Sequence, residues 1–261
     1  MPPSAYLLHP DAHVRAAACR ATTGIQNSEA LDRSLQDPDT AVRAEAAIAR
    51  SFAPDAPQAL AVLWRCILEQ AKRTEAATGW GRFQARRRLV RWVRHLATIV
   101  PLGHPDLPRL LACLPRRVGL CFALQHGDPA HLHWVLDAMD DPDVARYAGW
   151  VWQALTGVDL REAGLTQAEE PDPERGLTDA RLDADQGLPL PAPAAVRAAH
   201  AGLGLSAPSL LLGQARTPGL LLDVLQQGPQ GLRALAALSL RQAVPGRVVQ
   251  VMVGVGDRVT R

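Results

Sequence analysis

Two segments of this chain repeat one another at a fixed interval. His9-Pro10-Asp11-Ala12-His13-Val14-Arg15 aligns with Asp37-Pro38-Asp39-Thr40-Ala41-Val42-Arg43, each residue 28 positions from its counterpart, and the match runs on to Ala18 and Ala46. A period of this size marks stacked supersecondary units, each too thin to bury its apolar face alone. The small residues from Ala16 to Ala18 and from Ala44 to Ala49 let neighbouring helices approach closely. Ser28 to Leu35 reads as the second helix of the first unit, with Ser28 as its cap.

A further unit is spelled out between Asp128 and Leu160. Leu132, Val135, Leu136 and Met139 have the spacing of one buried helical face. Asp140-Asp141-Pro142 interrupts it. Pro142 suits the first position of a second helix, Asp141 precedes it as N-cap, and Asp143 places negative charge in the first turn. That helix is expected to bury Val144, Tyr147 or Ala148, Val151 and Leu155, with Trp152 beside them, and to stop at Thr156-Gly157. The result is an αα-hairpin.

The remaining chain reads as helices at 55–70, 82–100, 105–114, 115–125, 194–203, 208–213, 218–227 and 230–244, with a polar connection from Lys72 to Gly81. Between Glu162 and Pro193 acidic residues and prolines accumulate, which marks an exposed loop or linker. The tail from Gly246 alternates weakly and reads as a short strand or coil. The expected organisation is a repeat array over 1–161, an acidic Pro-rich loop over 162–193, a helical segment over 194–245 and a tail over 246–261.

Composition limits what such a chain does. Aromatics are 4% of the residues and Ala and Leu dominate, which favours helix over sheet. A net charge of +2 is too small to demand a polyanionic partner. Lys72 is the sole lysine, so the arginine bias is general and not confined to one site. Cys19, Cys66, Cys113 and Cys121 form no C-x-x-C pair, which points to a reducing cytoplasm. Met1-Pro2-Pro3-Ser4 lacks a basic stretch followed by an apolar one, so no signal peptide is expected. Leu210 to Leu212 and Leu220 to Leu222 are far shorter than the ~20 apolar residues of a membrane span.

The D-P-D-x-x-V-R-x-x-A pattern at Asp37 to Ala46 resembles the short HEAT-like repeat also found in phycobilisome lyases. Gly127-Asp128-Pro129, Trp134, Met139, the run Asp141 to Gly149 and Thr156-Gly157-Val158-Asp159-Leu160 are similar to an uncharacterised bacterial family of HEAT-repeat proteins, some encoded near type VI secretion genes. The likeness covers most of the chain, although that family has more repeats ahead of Tyr6 and an aromatic-rich segment where this chain has 194–212. The resemblance implies an all-α, right-handed α-solenoid of stacked helical hairpins. It implies no established activity.

In HEAT-like arrays an Asp of one repeat meets an Arg of the next. By resemblance, Asp11, Arg15, Asp39, Arg43, Asp143 and Arg146 are the repeat-stacking residues. Arg87, Arg88, Arg91, Arg94 and His95 share one face of the helix at 82–100, opposite Leu89, Val93 and Leu96, with Trp80, Phe83 and Trp92 close by. That face is the expected partner-binding surface, for an acidic protein or for a phosphate backbone.

His131 and His133 lie two apart, about 200° around a helix, and cannot chelate together. Asp183-x-Asp185-x-Gly187 has the wrong spacing for a calcium loop. No metal or other cofactor is therefore expected. G-x-S-x-G, Walker, G-x-G-x-x-G and H-E-x-x-H motifs are absent. Asp137 and Asp140, near Trp134 and Trp150, are the nearest approach to an enzymatic carboxylate. The sequence thus favours a non-enzymatic, cytoplasmic interaction scaffold for a protein partner, accessory to a bacterial secretion system if it follows the resembling family. A nucleic-acid-binding HEAT-like protein is the alternative.

Overall fold

The computed structural model of the chain describes residues 2–22, 28–53, 57–168, 185 and 187–243. Helix dominates them, in keeping with the all-α class, and none of these helices is long and apolar enough to cross a membrane. The chain divides into two compact units, one made of 1–114 and 217–261, the other of 115–216. The boundaries expected at 161 and 193 thus both fall inside the second unit.

The first unit begins with α1 (Ala12–Ala21), α2 (Ser28–Ser34) and α3 (Thr40–Arg50). α4 (Pro57–Ala76), α5 (Gly79–Ile99) and α6 (Leu107–Cys113) follow. The polar connection expected from Lys72 to Gly81 is largely helical, because nothing in Lys72–Ala76 breaks a helix. Only Ala77 and Thr78 separate α4 from α5. α3 is the most enclosed helix, packing on α1, α2, α4 and α5. Its alanines make this possible: Ala44, Ala46, Ala47 and Ala49 are all buried and let four neighbours close in.

The 28-residue repeat has a clear atomic basis. Asp11 and Asp39 are N-caps, accepting from the backbone N–H of His13 and of Ala41 and Val42. Arg15 donates to the His9 and Pro10 carbonyls, and Arg43 donates to the equivalent Asp37 and Pro38 carbonyls. Each guanidinium also reaches an acid further along. Arg15 pairs with Asp37 at 2.8 and 2.9 Å, and Arg43 with Glu69 at 2.9 Å. The acids that meet these arginines are Asp37 and Glu69; Asp11 and Asp39, expected in that role, are occupied in capping. Arg43→Ala removes four hydrogen bonds at once. It is expected to destabilise the chain by about 1 kcal/mol, since its partners are partly solvated. A urea titration indistinguishable from wild type would show that these Arg43 contacts do not hold the first unit together.

The second unit contains α7 (Arg116–His126), α8 (Leu132–Asp137), α9 (Ala145–Thr156) and α10 (Pro193–Ala201). Short 3-10 turns at Pro129–His131 and Ala138–Asp140 flank α8. Pro142 does not start the next helix. Asp141 accepts from the Asp143 N–H in a turn, Val144 has a non-helical φ of −135°, and α9 begins at Ala145. Arg146 donates to the Leu188 carbonyl, and Asp143, expected with it among the repeat-stacking residues, stays exposed. Gly127 and Gly157 close α7 and α9, each at a left-handed φ of 76°.

The helix expected at 208–213 is instead an antiparallel hairpin, β1 (Leu210–Leu211) and β2 (Gln214–Ala215). Leu212 and Gly213 both have positive φ, 52° and 73°, which ends any helix there. The hairpin supplies donors to two helix ends that lack them. Leu210 N–H donates to the Gly127 carbonyl of α7, while Leu212 and Gly213 donate to Ala154 and Leu155 of α9. Arg216, with its pKa lowered to about 10 by burial, donates to the Leu124, Gln125 and Leu210 carbonyls.

Thr217 then caps α11 (Pro218–Gln227), which pairs with α12 (Gln230–Ala243). α12 returns to α5 and completes the first unit. The tail expected over 246–261, and the acidic stretch at 169–184, lie outside the described residues.

Candidate functional site

The face expected at Arg87, Arg88, Arg91, Arg94 and His95 divides in two. Arg87 and Arg88 are exposed, Arg91 and Arg94 are half-buried, and His95 is buried. Burial, then the neighbouring Arg91 charge, lowers the His95 pKa to about 3, so this imidazole is neutral. It accepts from Arg91 through Nε2 at 3.3 Å instead of adding to the positive face. Trp92 is fully buried in the same region.

The Arg91 guanidinium and the Trp92 indole share one acceptor, Glu45 on α3. Its side chain is 1% exposed. Oε1 accepts from Arg20 at 3.0 Å, from Arg91 Nε at 3.1 Å and from the Trp92 indole at 3.1 Å, and Oε2 accepts from Arg91 Nη2. Burial alone would raise its pKa. The hydrogen bonds and charges of Arg91 and Arg20 outweigh that and hold it at about 2. Glu45 is thus a permanent anion that fixes the guanidinium of Arg91.

A cleft opens beside it, lined by Arg20, Glu45, Arg91, His95 and Arg241 among others. Three arginines face one carboxylate, which leaves an excess of positive charge. Arg241 lies over the Phe52 ring at 4.4 Å, and burial and the Arg91 charge lower its pKa. The cavity is about 40 Å³, far below the roughly 300–1,000 Å³ of common small-molecule sites. It suits a carboxylate or similar anionic group on the end of a larger partner.

The cleft lies at one end of a stripe along α5. Trp80, Phe83, Arg87 and Arg91 recur at three- and four-residue steps and share one helix face. Trp80 is 71% exposed and stacks on Phe83 at 5.0 Å. Arg87 sits 5.6 Å over the Phe83 ring. Among the described residues, none of Arg86, Arg87, Arg88 and Arg94 has an acidic partner. Two large aromatics exposed beside unneutralised arginines are the composition of an interaction surface.

In the second unit, Asp137 and Asp140 are exposed and both approach Arg197. Trp134 lies beneath Arg116, and Trp150 stacks on Tyr147. The carboxylates are thus bound up in surface ion pairing. Three side chains do converge nearby that the sequence had kept apart. His126, Asp128 and His131 are all buried, with their ligating atoms within 4.8 Å of one another. Burial and His126 lower the His131 pKa to about 4. The histidines that meet are His126 and His131, not His131 and His133, because His126 ends α7 and the Gly127 turn brings it back onto His131.

No protein-family model, curated protein or solved structure matches this chain.

Proposed function

We propose that this chain is a non-enzymatic interaction scaffold whose first unit grips an acidic protein partner along the α5 stripe. The exposed Trp80–Phe83 stack beside unneutralised arginines carries this reading. In it, the partner lays an apolar or aromatic anchor on Trp80 and Phe83. A carboxylate then enters the cleft of Arg20, Arg91 and Arg241. Arg94 lies at the edge of this surface and His95 supports it from beneath. The successive packing of α1, α3, α4 and α5, with its 28-residue repeat, supports a right-handed α-solenoid as the scaffold. A cytoplasmic role beside a bacterial secretion system rests on the sequence resemblance alone.

The same stack supports a second reading, since nucleic-acid bases stack on exposed aromatics flanked by arginines. The two are separated by comparing wild type with the double variant Trp80→Ala, Arg87→Glu. Proteins co-precipitating with wild type are expected to fall at least about tenfold with the variant, the effect of losing a Trp and Arg hot spot. Unchanged circular dichroism would show that the fold is intact. If single-stranded DNA or RNA binds at low salt while no protein depends on these two residues, the nucleic-acid reading replaces the first.

A further inference from the structure

We propose that His126, Asp128 and His131 form a binding site for one divalent transition-metal ion, zinc or a metal of similar chemistry. The three residues lie 4%, 6% and 5% exposed within six consecutive positions. His126 Nδ1 and His131 Nε2 face each other at 2.9 Å, and each of the three residues offers a ligand atom within 4.8 Å of the other two. Metal–nitrogen and metal–oxygen bonds of about 2.0–2.2 Å place tetrahedral donors roughly 3.4 Å apart, so small side-chain rotations let one ion bridge all three. Two imidazoles and a carboxylate are a donor set for zinc or for a 2-His-1-carboxylate centre. Three protein ligands leave a coordination position for water.

The surroundings are built to hold the ligands. Gly127 turns the chain between the first two at φ 76°, and a Cβ there would meet the Arg216 guanidinium and Ser209 Oγ. Leu210 N–H and Arg216 pin the backbone from the hairpin side, through the carbonyls of Gly127 and Gln125. Asp128 Oδ1 accepts from the Ala130 N–H at 2.9 Å, which orients the carboxylate. Phe122 stacks on His126 at 5.2 Å and meets His131 edge-on at 5.8 Å, shielding the pair from water. Oriented ligands inside an apolar shell are what a metal site requires.

The test uses the full chain, stripped with a chelator and titrated with Co2+. The expected result is about one equivalent bound, with a visible ligand-field band and hyperfine-shifted N–H resonances from two imidazoles. Zinc should displace it and quench the band. His131→Gln should abolish the band, while His133→Gln, altering an exposed neighbour, should keep it. Less than about a tenth of an equivalent in wild type would overturn the proposal, leaving a hydrogen-bonded histidine pair. So would a band that survives in His131→Gln. If that variant does not fold, the wild-type resonances decide: shifted signals from fewer than two histidines contradict the site.

Discussion

Replacing Glu45 with alanine is expected to lower the stability of the protein by about 3–5 kcal/mol, the cost of breaking a buried ion pair by removing one partner. The carboxylate accepts from Arg20, Arg91 and Trp92, and the indole of Trp92 is fully buried. Without it, that N–H and the Arg91 guanidinium lose their acceptor in a region with little access to water. Chemical denaturation reads the effect directly. Acid titration reads it independently. The folded-state pKa of Glu45 is about 2 against an unfolded 4.5, so its contribution is complete above pH 4.5 and vanishes as pH falls towards 2. The loss over that window is about 3 kcal/mol. Glu45→Gln should lack this loss. His95, with a pKa of about 3 against 6.5, destabilises the fold over a higher window, from pH 6.5 down to 3, and Glu45→Gln should keep a decline there. A Glu45→Gln profile parallel to wild type between pH 4.5 and 2 would show that Glu45 is not the anchor.

Gly157→Ala is expected to lower the stability of the second unit by about 3 kcal/mol. Part of this is the left-handed backbone, φ 76°, which costs an alanine about 1 kcal/mol. The larger part is crowding. A Cβ would lie 2.6 Å from the Leu212 carbonyl oxygen and 3.1 Å from the Gly213 nitrogen, both backbone atoms of the hairpin that caps α9. The hairpin must then retreat, and the Ala154 and Leu155 carbonyls lose the donors they hold at 2.8 and 2.9 Å. Gly164→Ala is the control. It has φ 66° with nothing within 4 Å of the added methyl, so it should cost only about 1 kcal/mol. Equal losses in the two variants would show that hairpin contact contributes nothing. Faster hydrogen exchange at Leu212 and Gly213 in Gly157→Ala should accompany the larger loss.

The helices were largely legible in the sequence because their signals are local. Apolar spacing and the stop at Gly157 place α7 to α9 within a few residues. Pro142 misled because its proline-at-N1 signal is equally satisfied by a turn ahead of Ala145. The hairpin was illegible for a different reason: Leu210 and Leu211 read as helix, and their partners are helix ends 83 or fewer residues away that no local pattern reveals. The α5 face was half legible. A helical wheel groups Arg87, Arg91 and His95 correctly, but it cannot show that α3 and α12 cover the end bearing His95. One signal for that was present. Glu45 is a lone carboxylate in the alanine run from Ala44 to Ala49, and an acid on a buried face requires a cationic partner. The His126–Asp128–His131 cluster was illegible because it depends on His126 being the last residue of α7, after which the Gly127 turn folds it back onto His131.

We propose that the α5 stripe is where this chain meets its partner. Its most direct test places a photo-crosslinking benzoylphenylalanine at Trp80, which preserves an exposed aromatic, and in a second sample at Asp223, an exposed position on α11. Irradiated in cells, position 80 should yield a discrete covalent adduct with an acidic protein. The Arg87→Glu background should lose that adduct, and position 223 should not form it. The same adducts from both positions, or adducts from position 80 to nucleic acid alone, would contradict the account.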